Sequence, residues 1–207
     1  MEFLYKMRKT APVKYDIHSL LMERWSPRAF SSKEIAIDKL QRIFEASRWA
    51  PSSSNDQEWR YIIGFKGDET FQKIFDSLVE FNQLWAGEAP VLALASAETI
   101  SPKTGKAGII ALYDVGQSVA MLTVQAEAEG LFVHQMAGFD KDKIREYFEL
   151  PDSVEPLTVF TIGTYGYPSK LHPNLQRLEK SDRVRNNFDT FVFRNKYGEP
   201  TDLFDSP

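Results

Sequence analysis

Cysteine is absent from the 207 residues, which removes disulfides, thiolate nucleophiles and thiolate metal ligands together. Histidine is scarce. His18, His134 and His172 are the only three, none stands at metal-ligand spacing, and no HExxH or GxSxG pattern occurs. Long apolar runs are missing too: no stretch approaches the roughly 20 apolar residues of a membrane span. The opening MEFLYKMRKT has no apolar run of the kind a secretory leader needs. Positive charge is not in excess. Twenty-five Lys and Arg against 29 Asp and Glu leave a formal net charge of -4, which argues against general nucleic-acid binding and requires any anion site to be local. No repeat or low-complexity tract appears, and the Gly and Pro residues, 11 each, are scattered. The expectation is a cytoplasmic protein folding as one domain over residues 1–207, without membrane or nucleic-acid partners.

Several periodic segments are legible. Ile37, Leu40, Ile43 and Phe44 share one face of a predicted helix over 37–46, and Pro51 stops the pattern. A polar loop from Pro51 to Asn55 leads to a strand over 60–65, and a helix follows Asp68. Residues 90–95 read as a buried strand. Leu112, Val115, Val119, Leu122 and Ala126 mark a long helix over 111–129, which Gly130 ends; Gly116 inside it predicts a close helix approach. Residues 131–134 are strand-like, Asp140 caps a helix running to Leu150, and strands are predicted over 157–163 and 191–193. Helices and strands mix without strict βαβ alternation, which places the chain in the α+β class.

Two basic clusters stand out. Arg24-Trp25-Ser26-Pro27-Arg28 puts two guanidiniums and a hydroxyl within five residues, and Arg183-Val184-Arg185 has the same character. A phosphate monoester needs several charge-assisted donors at once, and the planar Arg fork suits its oxygens. A charged surface turn is the competing reading of each. His134 on its apolar run reads as a core histidine, Gly105-Lys106 as a solvated loop, and Gly163 to Gly166 as a turn.

A third feature bears on the choice. Ala50-Pro51-Ser52-Ser53-Ser54-Asn55-Asp56-Gln57-Glu58-Trp59 resembles the flavin-loop motif APSxxNxQPW of the nitroreductase family, and Arg24-Trp25-Ser26-Pro27-Arg28-Ala29-Phe30 resembles that family's opening RxSxRxF. The two motifs keep the family's order and approximate spacing. The long helix ending at Gly130, the turn Met136 to Asp140, the strand ending at Gly163 and the late Arg-x-Arg resemble later landmarks, so the likeness runs from about Leu21 to about Gly198.

The resemblance implies an α+β nitroreductase-like fold, with a central mixed, mainly antiparallel sheet flanked by helices. It also implies an intertwined homodimer holding two FMN molecules at the subunit interface. On it, Arg24, Trp25, Ser26 and Arg28 hold the FMN phosphate and ribityl chain, and Arg183 and Arg185 complete the phosphate site. Arg28 also lies near the flavin N1/O2 edge. Pro51, Ser52, Ser53 and Asn55 reach the flavin from the other subunit, with Gln57 supporting the loop. Met136, Ala137 and Gly138 approach the ring, offering backbone N–H groups near N5 or O4, and Asn82 stands near the pyrimidine edge. The implied activity is two-electron transfer from NADH or NADPH, through FMN, to nitroaromatics, quinones or related small electrophiles by a ping-pong mechanism. The flavin N5 carries the chemistry, with electrostatic support from Arg28 and Gly138.

The chain departs from the pattern at Glu58, where the family usually has Pro; a solvated loop carboxylate is the expectation there. Trp49 and Trp59 are expected to be buried, Asp114 to be an exposed helix charge, and Ser54 and Asp56 carry little information. Two other readings stand beside the reductase: a flavin-binding or flavin-storage protein with little turnover, and a small-molecule binding protein that uses no flavin.

Overall fold

The computed structural model describes residues 9–101 and 103–204; of the opening MEFLYKMRKT, residues 1–8 lie outside them. Their helices are α1 (Ser19–Glu23), α2 (Ile37–Arg48), α3 (Glu69–Ser77), α4 (Glu80–Ala86), α5 (Ile110–Ala128), α6 (Lys141–Tyr147) and α7 (Pro173–Lys180). The strands are β1 (Trp59–Phe65), β2 (Val91–Glu98), β3 (Phe132–Met136) and β4 (Val154–Gly163), in the spatial order β1-β2-β4-β3. Every pairing is antiparallel, so the expected mixed sheet is corrected to a wholly antiparallel one among the described residues.

Helices cover both faces of this sheet, as the α+β class requires. Strand alternation sorts the side chains. On one face Val91, Ala93, Ala95 and Ala97 of β2 and Phe160 and Ile162 of β4 meet Leu40 and Ile43 of α2 and Val115, Val119, Leu122 and Ala126 of α5. The small Ala column lets α5 lie close to the sheet. On the other, Leu92, Leu94, Val159, Phe132 and Met136 pack under Phe71 and Ile74 of α3, Trp85 of α4, Ile144 of α6 and Leu175 of α7. Asp68 caps α3 by accepting the Phe71 N–H at 2.6 Å, and Asp140 caps α6 by accepting those of Asp142 and Lys143. Gly130, at φ +73, ends α5 in the left-handed conformation its sequence position suggested. No helix among the described residues is long and apolar enough to cross a membrane.

Four expectations are corrected. Phe191–Phe193 is not a strand: Phe191 and Val192 donate their N–H groups back to the Phe188 carbonyl, and Phe188 stacks on Phe204 at 4.1 Å instead of alternating across a sheet. Helix α6 stops at Tyr147, not Leu150, because Glu149 turns to φ +49. No helix among the described residues closes on Gly116; a Cβ there would meet nothing within 4 Å. Trp49 is 72% exposed, its indole N–H donating to Glu45 at 2.8 Å, while Trp59 is partly buried.

Candidate functional site

The two basic clusters meet. Arg24 follows the C-terminus of α1, Trp25 turns into the core edge-on to Phe132 at 6.1 Å, and Ser26 stays exposed. Burial, then the neighbouring Arg185 guanidinium, pulls the Arg24 guanidinium below its ordinary pKa, with Glu127 of α5 offsetting in part. Arg183 is lowered by burial and then by Arg24 and Arg185. Three cations crowd one place with Glu127 as the one carboxylate acting on them among the described residues, the arrangement expected where an anion binds. They line a groove of about 1460 Å³ between the 11–21 segment and the 183–204 tail.

The cations are not equally committed. Arg183 Nη1 donates to the Lys9 carbonyl at 2.6 Å and the Met22 carbonyl at 2.5 Å, so it ties the tail to the opening segment. Lys9, over the Trp25 ring at 4.8 Å, donates to the carbonyls of Glu179 and Ser181. Among the described residues Arg24, by contrast, makes one long contact to Ser26 Oγ at 3.4 Å, and Arg185 reaches only the Val184 carbonyl.

Arg28 is held from two sides by residues that the sequence did not single out for this purpose. Glu179 of α7, 1% exposed, accepts the Arg28 N–H at 2.9 and 3.1 Å and the Ala29 N–H at 3.1 Å. His134 of β3 bonds the Pro27 carbonyl through Nδ1 at 2.8 Å and lies 4.5 Å from the Trp85 ring. Burial, with Arg28 nearby, pushes the His134 pKa down to about 4, so the imidazole is neutral and its Nδ1–H donates. The Arg28 guanidinium sits 6.0 Å over Trp85, its Nε buried without a partner among the described residues. The signal for α7 was present in the sequence: His172-Pro173 is a cap followed by Pro at the first helical position.

At the Met136 end of β3 the chain turns through Ala137 and Gly138. The Gly138 carbonyl accepts the Val79 N–H at 3.1 Å and Asn82 Nδ2 at 3.0 Å, while its own N–H finds no acceptor among the described residues. Asn82 therefore belongs to this turn. A Cβ at position 138 would stand 2.9 Å from Val79 Cγ2 and 3.0 Å from Asn82 Nδ2, so the close approach needs glycine.

The Pro51–Gln57 loop lies elsewhere. Ser54, Asn55 and Gln57 all adopt φ near +54, a left-handed conformation that non-glycine residues hold only when the surroundings impose it. The surroundings are polar: Asp114 of α5 accepts the Ser53 N–H at 2.6 Å, Ser52 Oγ accepts the Gln57 N–H at 2.9 Å, and Gln57 Nε2 donates to Asn55 Oδ1 at 3.1 Å. Asp56 pairs with Lys103 at 2.8 Å and accepts Ser101 Oγ at 2.6 Å. Two expectations fail here. Glu58 is 6% exposed and accepts the Ser52 hydroxyl at 3.3 Å, and Asp114 is 2% exposed; each carboxylate is buried because the loop supplies a donor that water would otherwise provide, a side-chain hydroxyl for Glu58 and the Ser53 backbone N–H for Asp114.

The loop precedes edge strand β1, whereas the arginines and the Gly138 turn flank the opposite edge strand β3. Three strand spacings, about 14 Å, separate the edges. One chain therefore brings together Arg24, Arg183 and Arg185, sets Arg28 against Trp85 and His134, and separately joins the Gly138 turn to Asn82, but does not bring the 51–57 loop to any of them.

The comparisons agree with this architecture. A family model described as the nitroreductase family matches residues 21–164. A crystal structure of an oxidoreductase containing FMN superimposes with a TM-score of 0.84 at 32% identity, covering 91% of this chain and 96% of that one. A Bacillus subtilis (strain 168) protein named FMN reductase [NAD(P)H] is 27% identical over 172 residues, 75% of this chain and 68% of its own. A Stenotrophomonas maltophilia protein, provisionally named an NADH dehydrogenase/NAD(P)H nitroreductase, is 27% identical over 176 residues, 76% of this chain and 88% of its own. With the family model spanning most of the chain and the fold matching throughout, this protein belongs to the nitroreductase family.

Proposed function

We propose that this protein is a single-domain, cytoplasmic oxidoreductase that binds FMN. It takes two electrons from NADH or NADPH and delivers them to small electrophiles such as nitroaromatics or quinones. The observation that carries the reading is the convergence of Arg24, Arg183 and Arg185 on one groove, together with an Arg28 Nε that is buried and finds no partner among the described residues. Those donors fit a phosphate at one end of β3, and the free Gly138 N–H fits a ring edge at the other. When bound, FMN supplies hydride acceptance and two-electron transfer.

The chain supplies the rest. Arg24, Ser26 and Arg185 hold the phosphate, with Arg183 adding charge while tethering the tail. Trp25, buried by its side chain, contributes through backbone. Arg28, fixed by Glu179 and His134, stabilises negative charge at the N1/O2 edge, and the N–H groups of the Met136–Gly138 turn do so near N5 and O4. Asn82 holds that turn and offers Oδ1 to the pyrimidine edge. No acid–base side chain is required. Donor and acceptor occupy the same face in turn, so the kinetics are ping-pong.

The site is completed by a second copy. Pro51, Ser52, Ser53, Asn55 and Gln57 stand across the sheet from the arginines and serve the partner's flavin. The outer face of α5 supports a homodimer: Ile109 is 81% exposed and Tyr113 68%, beside Ile110, Leu112, Gly116 and Met121, an apolar stripe of the kind that marks a protein contact. The test is the absorption spectrum of the purified protein, identification of the cofactor released on heating, and anaerobic reduction. FMN bleached rapidly by NADH or NADPH is expected. A colourless protein, or a flavin neither donor reduces, would refute the reading, the latter in favour of flavin storage.

A further inference from the structure

Asp114 is an unusual place for a carboxylate. It lies in the first half of α5, 2% exposed, and no Lys or Arg pairs with it among the described residues. Its Oδ2 accepts the Ser53 N–H at 2.6 Å, and Oδ1 accepts Gln117 Nε2 at 3.3 Å. A buried carboxylate without a cation is costly, and an apolar residue at a helix position facing a sheet would pack without that cost. What the charge holds is one N–H of a loop whose next residues include three in the left-handed region. Ser53 and Asn55 remain exposed, and Ser53 Oγ enters none of the described hydrogen bonds. Asp114 thus fixes the backbone while leaving Ser53 Oγ facing outward unspent. It also stands between Tyr113 and Gly116 of the apolar stripe, so the helix that presents the proposed dimer face is the one that sets the loop.

We infer that Asp114 is a positioning residue for the flavin: it holds the 51–57 loop in its ligand-receiving shape, and through the loop it sets the affinity of the partner subunit's FMN site. This rests on the reading of that loop as a flavin contact. The single strong bond to Ser53 N–H is the physical link, since a charge-assisted bond to backbone is about twice as strong as a neutral one and aims the peptide plane. Preorganisation of this kind is read in affinity, because a loop that must order on binding lowers the apparent affinity by the fraction of time it is competent.

The experiment compares Asp114→Ala and Asp114→Asn in the full-length protein, with two readouts: amide exchange across residues 52–57 in the apo protein and the FMN dissociation constant from quenching of flavin fluorescence. Asn retains a carbonyl oxygen for the Ser53 N–H. Asp114→Ala should speed exchange in 52–57 and weaken FMN by about tenfold or more, and Asp114→Asn should restore both to within about threefold. Unchanged exchange in Asp114→Ala overturns the positioning role itself. Faster exchange with an unchanged FMN constant overturns the link to the cofactor, and with it the assignment of the loop to the flavin. Ser53→Pro, which deletes the N–H together with the hydroxyl and follows the extended Ser52 that a proline tolerates, read against Ser53→Ala, which deletes the hydroxyl alone, keeps the test open if Asp114→Ala does not fold; the proline variant should speed exchange and weaken FMN beyond Ser53→Ala, and equal effects would overturn the positioning role.

Discussion

Lowering the pH from 7.5 to 5 should weaken the fold by about 2 kcal/mol through His134 alone. The imidazole is pressed against Trp85 and donates to the Pro27 carbonyl, with Arg28 nearby, and its folded pKa lies near 4 against an ordinary 6.5. The folded value is the lower one, so the contribution is complete above pH 6.5 and is lost as pH falls towards 4, while the unfolded chain takes up a proton that the folded one refuses. The loss is about 1.4 kcal/mol per pH unit inside that window, reaching about 3 kcal/mol at pH 4. Asp56, lowered by Lys103 and Ser101, and Glu155, lowered by Lys141, contribute in the same direction but lose their share mainly below pH 5, through the carboxylate range. Urea unfolding of the apo protein at pH 7.5 and 5, beside His134→Gln, isolates the histidine. The variant should show a pH dependence flatter by about 2 kcal/mol. Parallel dependences within about 0.5 kcal/mol would show that His134 is free to protonate in the folded chain, and the neutral clamp on Pro27 would fall with it.

Arg24→Ala and Arg185→Ala should each weaken FMN by roughly tenfold to a hundredfold, from about 1.5–3 kcal/mol per charge-assisted bond, while the urea midpoint of the apo protein stays nearly constant; unchanged titrations would remove them from the phosphate site. Glu179→Ala should destabilise the apo protein by about 2–4 kcal/mol, because it strands the Arg28 and Ala29 N–H groups, and Glu179→Gln by less, as denaturant titration will measure. Tyr113→Lys should shift sedimentation at micromolar concentration from dimer to monomer and weaken FMN in parallel; a flavin-loaded monomer would refute the shared site.

The elements that could be read from the sequence are those whose signals are local. Helix α2, strands β1, β2 and β4, and the Asp68 and Asp140 caps rest on periodicity or on one side chain facing its own backbone. What could not be read depended on distant partners. Phe191–Phe193 has strand composition, yet Phe191 packs on Phe188, which stacks on Phe204, and Phe193 makes one isolated bridge to Pro200 instead of joining the sheet. Asp114 and Glu58 look like solvated charges because nothing nearby in sequence reveals that Ser53 N–H and Ser52 Oγ will reach them. At the site, the motifs named the arginines and the glycine turn, but Glu179 lies 151 positions from Arg28 and sits in a helix of mixed charge. Its role follows from α7 crossing the start of the Phe30 segment, a tertiary fact.

Arg183 differs from the other arginines in a way that tests the division of labour at the phosphate end. The motif alone made it equal to Arg185. The structure commits its Nη1 to two carbonyls, of Lys9 and Met22, that belong to the opening segment, and neutral acceptors leave its positive charge intact. It should therefore do two separable things: tie the 183–204 tail across the groove and add to the potential that draws an anion into it. Arg183→Ala removes both. Ala11 N–H still serves the Met22 carbonyl, so the tether lost is chiefly that to Lys9, about 1.5–3 kcal/mol for a bond from a charged donor. Arg183→Lys keeps the charge and loses the fork. The expected pattern is that Arg183→Ala lowers both the urea midpoint and FMN affinity, whereas Arg183→Lys lowers the midpoint and largely preserves affinity at low salt, the difference shrinking as salt screens the charge. If instead Arg183→Lys loses affinity as fully as Arg183→Ala, the guanidinium touches the phosphate directly, its remaining nitrogens completing the site beside Arg24 and Arg185. If neither variant moves the midpoint, the tail is not held by this residue, and the carbonyl contacts contribute nothing to the fold.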